Sequence, residues 1–346
     1  MDENGLAGLG VAVIGFGVGR SHMRAYREIP GVRLVVLCDT DEERLAQARQ
    51  EFDGIATTSD VEAAVSRDDV HVVSVCTPDH LHYEHCLAAL AHGKHILCEK
   101  PMTTSEPHAW DLVRRVREAD VRFAVGNVNR FVPQFAAIHQ FVEEGRLGEL
   151  FFVESDYIHD MRNVYQRTPW RADPVNPQNA WFGGGVHPMD LVRWVAGDVT
   201  EITLYANKCA STPEFPLPDT YISILKFANG CLGKVWETSA IRRVPGHVVN
   251  FNAYGAEGTM LTNTLEMEAK LWLNWGVEGQ AGAQTLPFRR TIGHPVLDEL
   301  THLVDCIRTG ETPLVDALEG AKTVATLAAG MRSLESSKPE QVNSWP

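Results

Sequence analysis

The sequence predicts a two-domain α/β protein: an N-terminal doubly wound parallel sheet, then an α+β domain built on a large, mostly antiparallel open sheet. Three observations point there. The chain has 346 residues, more than one ordinary domain of about 100–200 residues holds. From residue 10 to about 127, short aliphatic runs alternate with amphipathic helical segments, as in strands buried on both faces between helices. After about residue 128 the texture changes to strand-like segments with a hairpin-turn signal, closed by two helices. The expected domains are therefore 1–127 and 128–346.

The parallel strands fall on Val11–Ile14, Val32–Leu37, Val70–Val75, His95–Cys98 and Arg122–Val125. Between them, Thr40-Asp41-Glu42-Glu43 fits a capping box that opens a helix reaching about Phe52. The segment His82–Ala91 closes at Gly93, and Ser105–Ala119 carries Pro107 in its first turn. In the second half, a helix over Pro133–Glu144 ends at Gly145 and leads into the strand Leu150–His159. Further strands are expected at Glu201–Ala210, Tyr221–Phe227, Cys231–Ala240, Val248–Tyr254, Thr259–Thr262 and Leu265–Trp272, with Asn229-Gly230 as the hairpin turn. Helices Val296–Arg308 and Asp316–Ser333 follow, and the polar tail Ser336–Pro346 is expected to fray. Residues 160–185 break the pattern with Pro169, Pro174, Pro177 and three consecutive glycines. A long loop there, carrying Trp170, Trp181 and Arg162, Arg167 and Arg171, reads as functional rather than disordered.

Composition narrows the function. Acidic residues number 45 against 31 basic ones, a formal charge of −14, which argues against binding nucleic acid phosphates. A local basic pocket for a small anion remains compatible with it. The seven cysteines form no C-x-x-C pair and no cluster, which points to a reducing, cytoplasmic setting rather than a disulfide or zinc framework. The start Met1-Asp2-Glu3-Asn4 does not read as a signal peptide, and no apolar run is long enough for a membrane helix.

The first chemical motif is Gly15-Phe16-Gly17-Val18-Gly19-Arg20, directly after the first strand and opening a helix. Glycines let a backbone turn tightly against a pyrophosphate, and the helix N-terminus favours its charge. Asp39 follows Gly15 by 24 residues at the end of the second strand, where an acid binds the adenosine ribose and repels a 2′-phosphate. Asp41 and Glu42 add charge beside it. The pair indicates a Rossmann domain for NAD, with NADP less favoured. The third glycine falls one position early, so either the turn is a residue shorter or Arg20 reaches towards the phosphates.

The second motif is Cys98-Glu99-Lys100-Pro101 at the end of the strand His95–Cys98, with Cys76-Thr77-Pro78-Asp79-His80-Leu81-His82 at the end of the strand Val70–Val75. Both stand at the carboxyl edge, where such sheets bind ligands. A lysine there, partly desolvated beside a positive nicotinamide, can lose its proton near working pH and take one from a hydroxyl. The run His80-Leu81-His82-Tyr83-Glu84-His85-Cys86 has metal-ligand spacings but coincides with this edge, and no metal is expected.

Together with Gly183-Gly184-Gly185-Val186-His187-Pro188-Met189-Asp190, these motifs resemble the glucose–fructose oxidoreductase/inositol dehydrogenase (Gfo/Idh/MocA) family over nearly the whole chain. The resemblance implies that Lys100 projects between cofactor and substrate, and that Thr77, Pro78, His80, His82 and Glu99 help shape the cofactor pocket. It puts His187 on the family's catalytic histidine, a plausible proton relay, and Asp190 on an acidic residue one turn beyond. It brings Arg130, Tyr157, Arg162, Tyr165, Trp170, Arg171 and His294 to or near the substrate cleft, where aromatic faces suit a ring and arginines suit hydroxyls or anions. One departure stands out. Family dehydrogenases commonly carry an aspartate four residues before the histidine, and this chain has Gly183 there. Either Lys100 and His187 suffice without it, or Asp156, Asp160 or Asp173 fills the gap, or catalysis is lost.

The expected activity is NAD-dependent hydride transfer at a secondary hydroxyl or ketone of a sugar, sugar derivative or inositol. Two alternatives stay open: transient oxidation by NAD for glycosidic-bond elimination, and a non-catalytic dinucleotide sensor. The resemblance also implies a homodimer or homotetramer, to which the Trp272–Trp275 region could contribute.

Overall fold

The computed structural model describes residues 8–173, 175, 177–209, 215–242, 247–263, 268–273, 284–287 and 294–344. Met1–Asn4, Pro174, Ala210, the first residues of the expected strand Leu265–Trp272, Trp275, and the final Trp345 and Pro346 lie outside them. The chain divides into two compact units. One holds the chain up to Val128 together with Pro295–Ala321, and the other holds Asn129–His294 together with Lys322 to the end.

In the first unit the order is β1 (Leu9–Ile14), α1 (Phe16–Tyr26), β2 (Val32–Cys38), α2 (Glu42–Glu51), β3 (Ala56–Thr58), α3 (Val61–Val65), β4 (Val72–Val75), α4 (His82–Ala91), β5 (His95–Cys98), α5 (Glu106–Ala119) and β6 (Phe123–Val125). The strands are parallel in the order β3-β2-β1-β4-β5-β6. Runs such as Val11-Ala12-Val13-Ile14 and Val72-Val73 are fully buried because helices cover both faces. Two expectations change here. The cap of α2 is Asp41, whose carboxylate accepts the N–H of Glu43 and Arg44, and Thr40 plays no part. The short strand β3 and helix α3 are additional, since Ala56-Thr57-Thr58 has no aliphatic run to betray it.

The second unit begins with α6 (Pro133–Glu143), β7 (Leu150–His159), α7 (Arg162–Arg167), α8 (Ala180–Gly183) and α9 (Val186–Ala196). The strands β8 (Val199–Asn207), β9 (Thr220–Phe227), β10 (Leu232–Thr238), β11 (His247–Gly255), β12 (Gly258–Asn263), β13 (Glu268–Leu273) and β14 (Gln284–Pro287) follow. After them come α10 (Val296–Thr309), α11 (Ala317–Ser336) and β15 (Glu340–Gln341). The sheet runs β14-β13-β12-β11-β7-β10-β9-β8-β15. Its pairs are antiparallel except β7 with β10. Alternation along β9 buries Tyr221, Ser223, Leu225 and Phe227 on the face that α8 and α9 cover, and leaves Ile222 and Ile224 exposed on the other.

Three expectations are corrected. Residues 160–185 are not one long loop: they fold into α7, a 3₁₀ turn at Pro169–Ala172, and α8. Part of the tail forms β15 instead of fraying. The C-terminal half does not stay together either, because Pro295–Ala321 joins the first unit. There Leu300, Leu303 and Val304 of α10 share a core with Met23 and Tyr26 of α1, and the Val125 N–H bonds Val315 O at 2.9 Å.

Candidate active site

In the first unit the cofactor turn begins at Gly15, whose φ of +95° suits glycine and whose added Cβ would fall 2.6 Å from Cys76 O. Helix α1 starts at once, with no side-chain cap and no acid in its first turn. Apart from the Phe16 N–H, which Asp39 takes, its leading N–H groups are left for an anion. Gly17 faces open space, and Gly19 lets α1 lie against Val13 and Cys76, where a Cβ would come within 2.7 Å of Val13. Arg20 turns away from the turn and pairs with Glu51 of α2 at 2.6 Å. Asp39 is buried at the end of β2, its Oδ2 accepting the Phe16 N–H at 2.7 Å and its Oδ1 the Asp41 N–H at 2.9 Å. A backbone this bare beside a fixed carboxylate fits a dinucleotide.

Arg44 stands 3.7 Å from Asp39 Oδ2, so removing the carboxylate would leave a guanidinium where a 2′-phosphate could bind. Since like charges brought together cost several kcal/mol, Asp39→Ser should lower the preference for NAD over NADP at least about tenfold. Comparing kcat/KM with the two cofactors, or their binding constants, checks this; an unchanged ratio would remove Asp39 from the selection.

The carboxyl edge is tied together by His82, which is 1% exposed. Its ring bonds Pro101 O at 2.7 Å and Thr77 O at 2.9 Å, joining the segments that follow β4 and β5. Thr77 Oγ1 meets His85 Nδ1 at 3.0 Å, while His80 lies exposed beside Asp79. Lys100 is half-buried, its N–H donating to Glu99 Oε2 at 3.2 Å, and its peptide to Pro101 is cis.

The second unit gathers a different set. His187 lies at the start of α9, 2% exposed, and stacks on Tyr157 of β7 with ring centroids 4.9 Å apart. His247 of β11 stacks 5.7 Å from Tyr157 and 4.9 Å from His294, and His159 closes the group 6.0 Å from Tyr157. Arg130 and Asp190 form a buried two-pronged ion pair, both bonds 2.8 Å, with the guanidinium 5.3 Å from the Trp194 ring. The arginines around the 3₁₀ turn disperse: Arg162 pairs with Asp160, Arg167 bonds Asn163 O, and Arg171 bonds Gln178 over the Trp170 ring. Tyr165 stacks on Phe215 at 5.0 Å.

None of the three acids considered for the gap at Gly183 stands beside it. Asp156 lies on the opposite sheet face with Lys234 at 2.9 Å, Asp160 holds Arg162, and Asp173 bonds the Val175 N–H. The place a side chain at 183 would take is filled by Gln178, 2.8 Å from an added Cβ. The buried acid nearby is Glu237 of β10, in register between Tyr157 and Tyr221 and 2.9 Å from an added Cβ on Gly184. It is 0% exposed; Oε1 accepts Ser239 Oγ at 2.6 Å, and Oε2 meets no partner among the described residues. Sequence reasoning missed Glu237, His159 and His247. The signal was period-two phase: Glu237 shares the inward phase of Gly233 and Val235, and His159 that of Val153, Ser155 and Tyr157.

Burial, reinforced by the charge of Asp219, raises the Glu237 carboxyl well above the ordinary range against the Ser239 hydrogen bond. The folded chain thus holds a proton that the unfolded chain releases at about pH 4.3. Stability is lost as pH rises from there through the folded value. Glu237→Gln should remove that loss, so its advantage in Tm over the parent should grow from pH 4.5 to pH 8; a constant difference would contradict the assignment.

Comparison with known proteins agrees with this geometry. Residues 9–127 match the family described as "Oxidoreductase family, NAD-binding Rossmann fold", and residues 135–261 match its "GFO/IDH/MocA C-terminal domain". The chain belongs to the Gfo/Idh/MocA family. Among its relatives are a levoglucosan dehydrogenase of Pseudarthrobacter phenanthrenivorans, 28% identical over 74% of this chain and 73% of that protein, and the inositol 2-dehydrogenase 2 of Saccharopolyspora erythraea, 28% identical over 98% and 96%. A solved levoglucosan dehydrogenase in complex with NADH shares the fold, with TM-score 0.88 and 22% identity over 97% of this chain and 100% of that one. This Gfo/Idh/MocA chain is accordingly an NAD-binding oxidoreductase.

Proposed function

We propose that the protein is an NAD-dependent dehydrogenase acting on a secondary hydroxyl, or the matching ketone, of a sugar, sugar derivative or inositol. The observation that carries this reading is the lysine at the carboxyl edge of an NAD-binding sheet, its backbone fixed by Glu99 and His82. The names of the relatives supply the substrate class. NAD, when bound, accepts the hydride. Lys100 and His187 handle the hydroxyl proton, Lys100 as the base in the first unit and His187 as a relay in the second. Tyr157, His247 and His294 offer stacked rings suited to the face of a sugar or cyclitol.

The absence of an acid at 183 favours one second reading, transient oxidation and re-reduction of a glycoside. Incubation with polyols, sugars and glycosides, with NAD and with NADP, decides between them. The dehydrogenase accumulates NADH with ketone product, whereas the transient user cleaves glycosides without net NADH. Binding of NADH with no turnover on any member would leave a sensor.

The second unit is also where we place self-association. Tyr205, Ile222, Ile224 and Leu232 lie exposed on the open sheet face and fit a second copy of the chain, as a dimer or tetramer. The seven free cysteines suit a reducing cytoplasm.

A further inference from the structure

Next to Lys100 lies a pair, a buried histidine and a partly buried glutamate, that the reaction above does not use. His22 of α1 is 0% exposed, and its Nε2 meets Glu99 Oε1 at 3.1 Å. Its other nitrogen meets Ser74 Oγ at 2.9 Å and Cys76 Sγ at 3.5 Å. Glu99 in turn accepts the Lys100 N–H through Oε2 and lies over Gly126, where an added Cβ would fall 3.3 Å from its carboxyl carbon. A line of contacts therefore runs from the helix that opens the cofactor turn, through one ring and one carboxylate, to the backbone N–H of the lysine, whose ammonium charge also bears on that carboxylate.

The electrostatic consequence is specific. A carboxylate beside a lysine ammonium holds its proton on, which is the wrong direction for a base at neutral pH. A buried cation on the far side of that carboxylate cancels much of the effect, because in this interior charges interact with little screening. We propose that His22 is a positioning residue for the proposed reaction: as an imidazolium it occupies the Glu99 carboxylate and so frees Lys100 to give up its proton.

Charge on both partners is consistent with their surroundings. Burial opposes it, yet the hydrogen bond and charge of His22, helped by Lys100 and His82, hold the Glu99 carboxyl down at about 2. Against the same burial, Cys76 and Glu99 lift the His22 ring well above its ordinary value. The other titratable groups facing the pair are Cys98 of β5 and, through Ser74, Tyr26 of α1 with Glu299 of α10 behind it. Neither brings a second cation to Glu99.

The inference rests on the dehydrogenase reading, and its test separates the two. kcat/KM is measured against pH with saturating NAD for the parent, His22→Gln, Glu99→Gln and the double variant, with NADH binding followed by fluorescence. In H22Q the carboxylate is left to Lys100, so the acid limb of the profile should move up by half a pH unit or more while NADH still binds. In the double variant that shift should disappear, and E99Q alone should move the limb down. An unmoved limb in H22Q, or a shift that persists in the double variant, overturns the role of His22 and leaves the dehydrogenase standing. A parent chain that turns over no member of the panel overturns both. Should H22Q not fold, the limb in E99Q decides: no downward movement overturns the proposal.

Discussion

Lys100→Met should lower kcat by at least about 100-fold, the lower end of what a positioned acid–base group contributes, while NADH binding changes little. Methionine keeps the length and the apolar stem of lysine and removes only the ammonium. The backbone around position 100 is held by other groups as well: Glu99 holds the N–H, and His82 ties Pro101 O to Thr77 O. The loss should therefore fall on turnover and leave the melting temperature unmoved. Steady-state kinetics on the best substrate of the panel, beside an NADH titration, measure it. A variant that keeps kcat within threefold would take the lysine out of the chemistry and transfer the burden to His187.

The largest effect on stability is expected at the Arg130–Asp190 pair. Both side chains are 2% exposed or less, joined by two bonds of 2.8 Å. Deleting one partner strands an uncompensated charge, which typically costs about 3–5 kcal/mol. Asp190→Ala should lower the denaturation midpoint of the second unit accordingly. Arg130→Met combined with Asp190→Leu should recover most of it, because an apolar pair carries no desolvation cost. Asp190 lies on α9 one turn beyond His187, so the single variant should also blunt turnover by loosening that helix. Denaturant melts of the three proteins give the answer; a single variant as stable as the parent would show the pair to be dispensable.

The parallel sheet was legible because burial on both faces writes itself as unbroken aliphatic runs: Val32–Leu37 and His95–Cys98 need only local information. The strand β7 and the helix α4 were equally plain from their phase and their ends. What escaped was whatever depends on partners far along the chain. Arg130 and Asp190 read as groups for a ligand, since nothing in either segment says that their charges meet. Arg20 read the same way until Glu51 took it up. Glu237 was legible only to someone counting inward positions on β10, because a buried acid breaks the rule by which strands are recognised. The short strand β3 carries too few apolar residues to announce itself.

The placement of Pro295–Ala321 bears on how the protein is made. A ribosome delivers all six strands of the cofactor sheet, and then the whole of the large sheet up to β14, before it delivers α10. Until that helix arrives, Met23 and Tyr26 lack the apolar cover that Leu300, Leu303 and Val304 give them. The nascent first unit must wait with part of its core open, and a fragment ending at Val128 would be born with the same wound. Chain termination anywhere before residue 296 thus damages the half already synthesised, so the oldest part of the polypeptide is finished by some of the youngest.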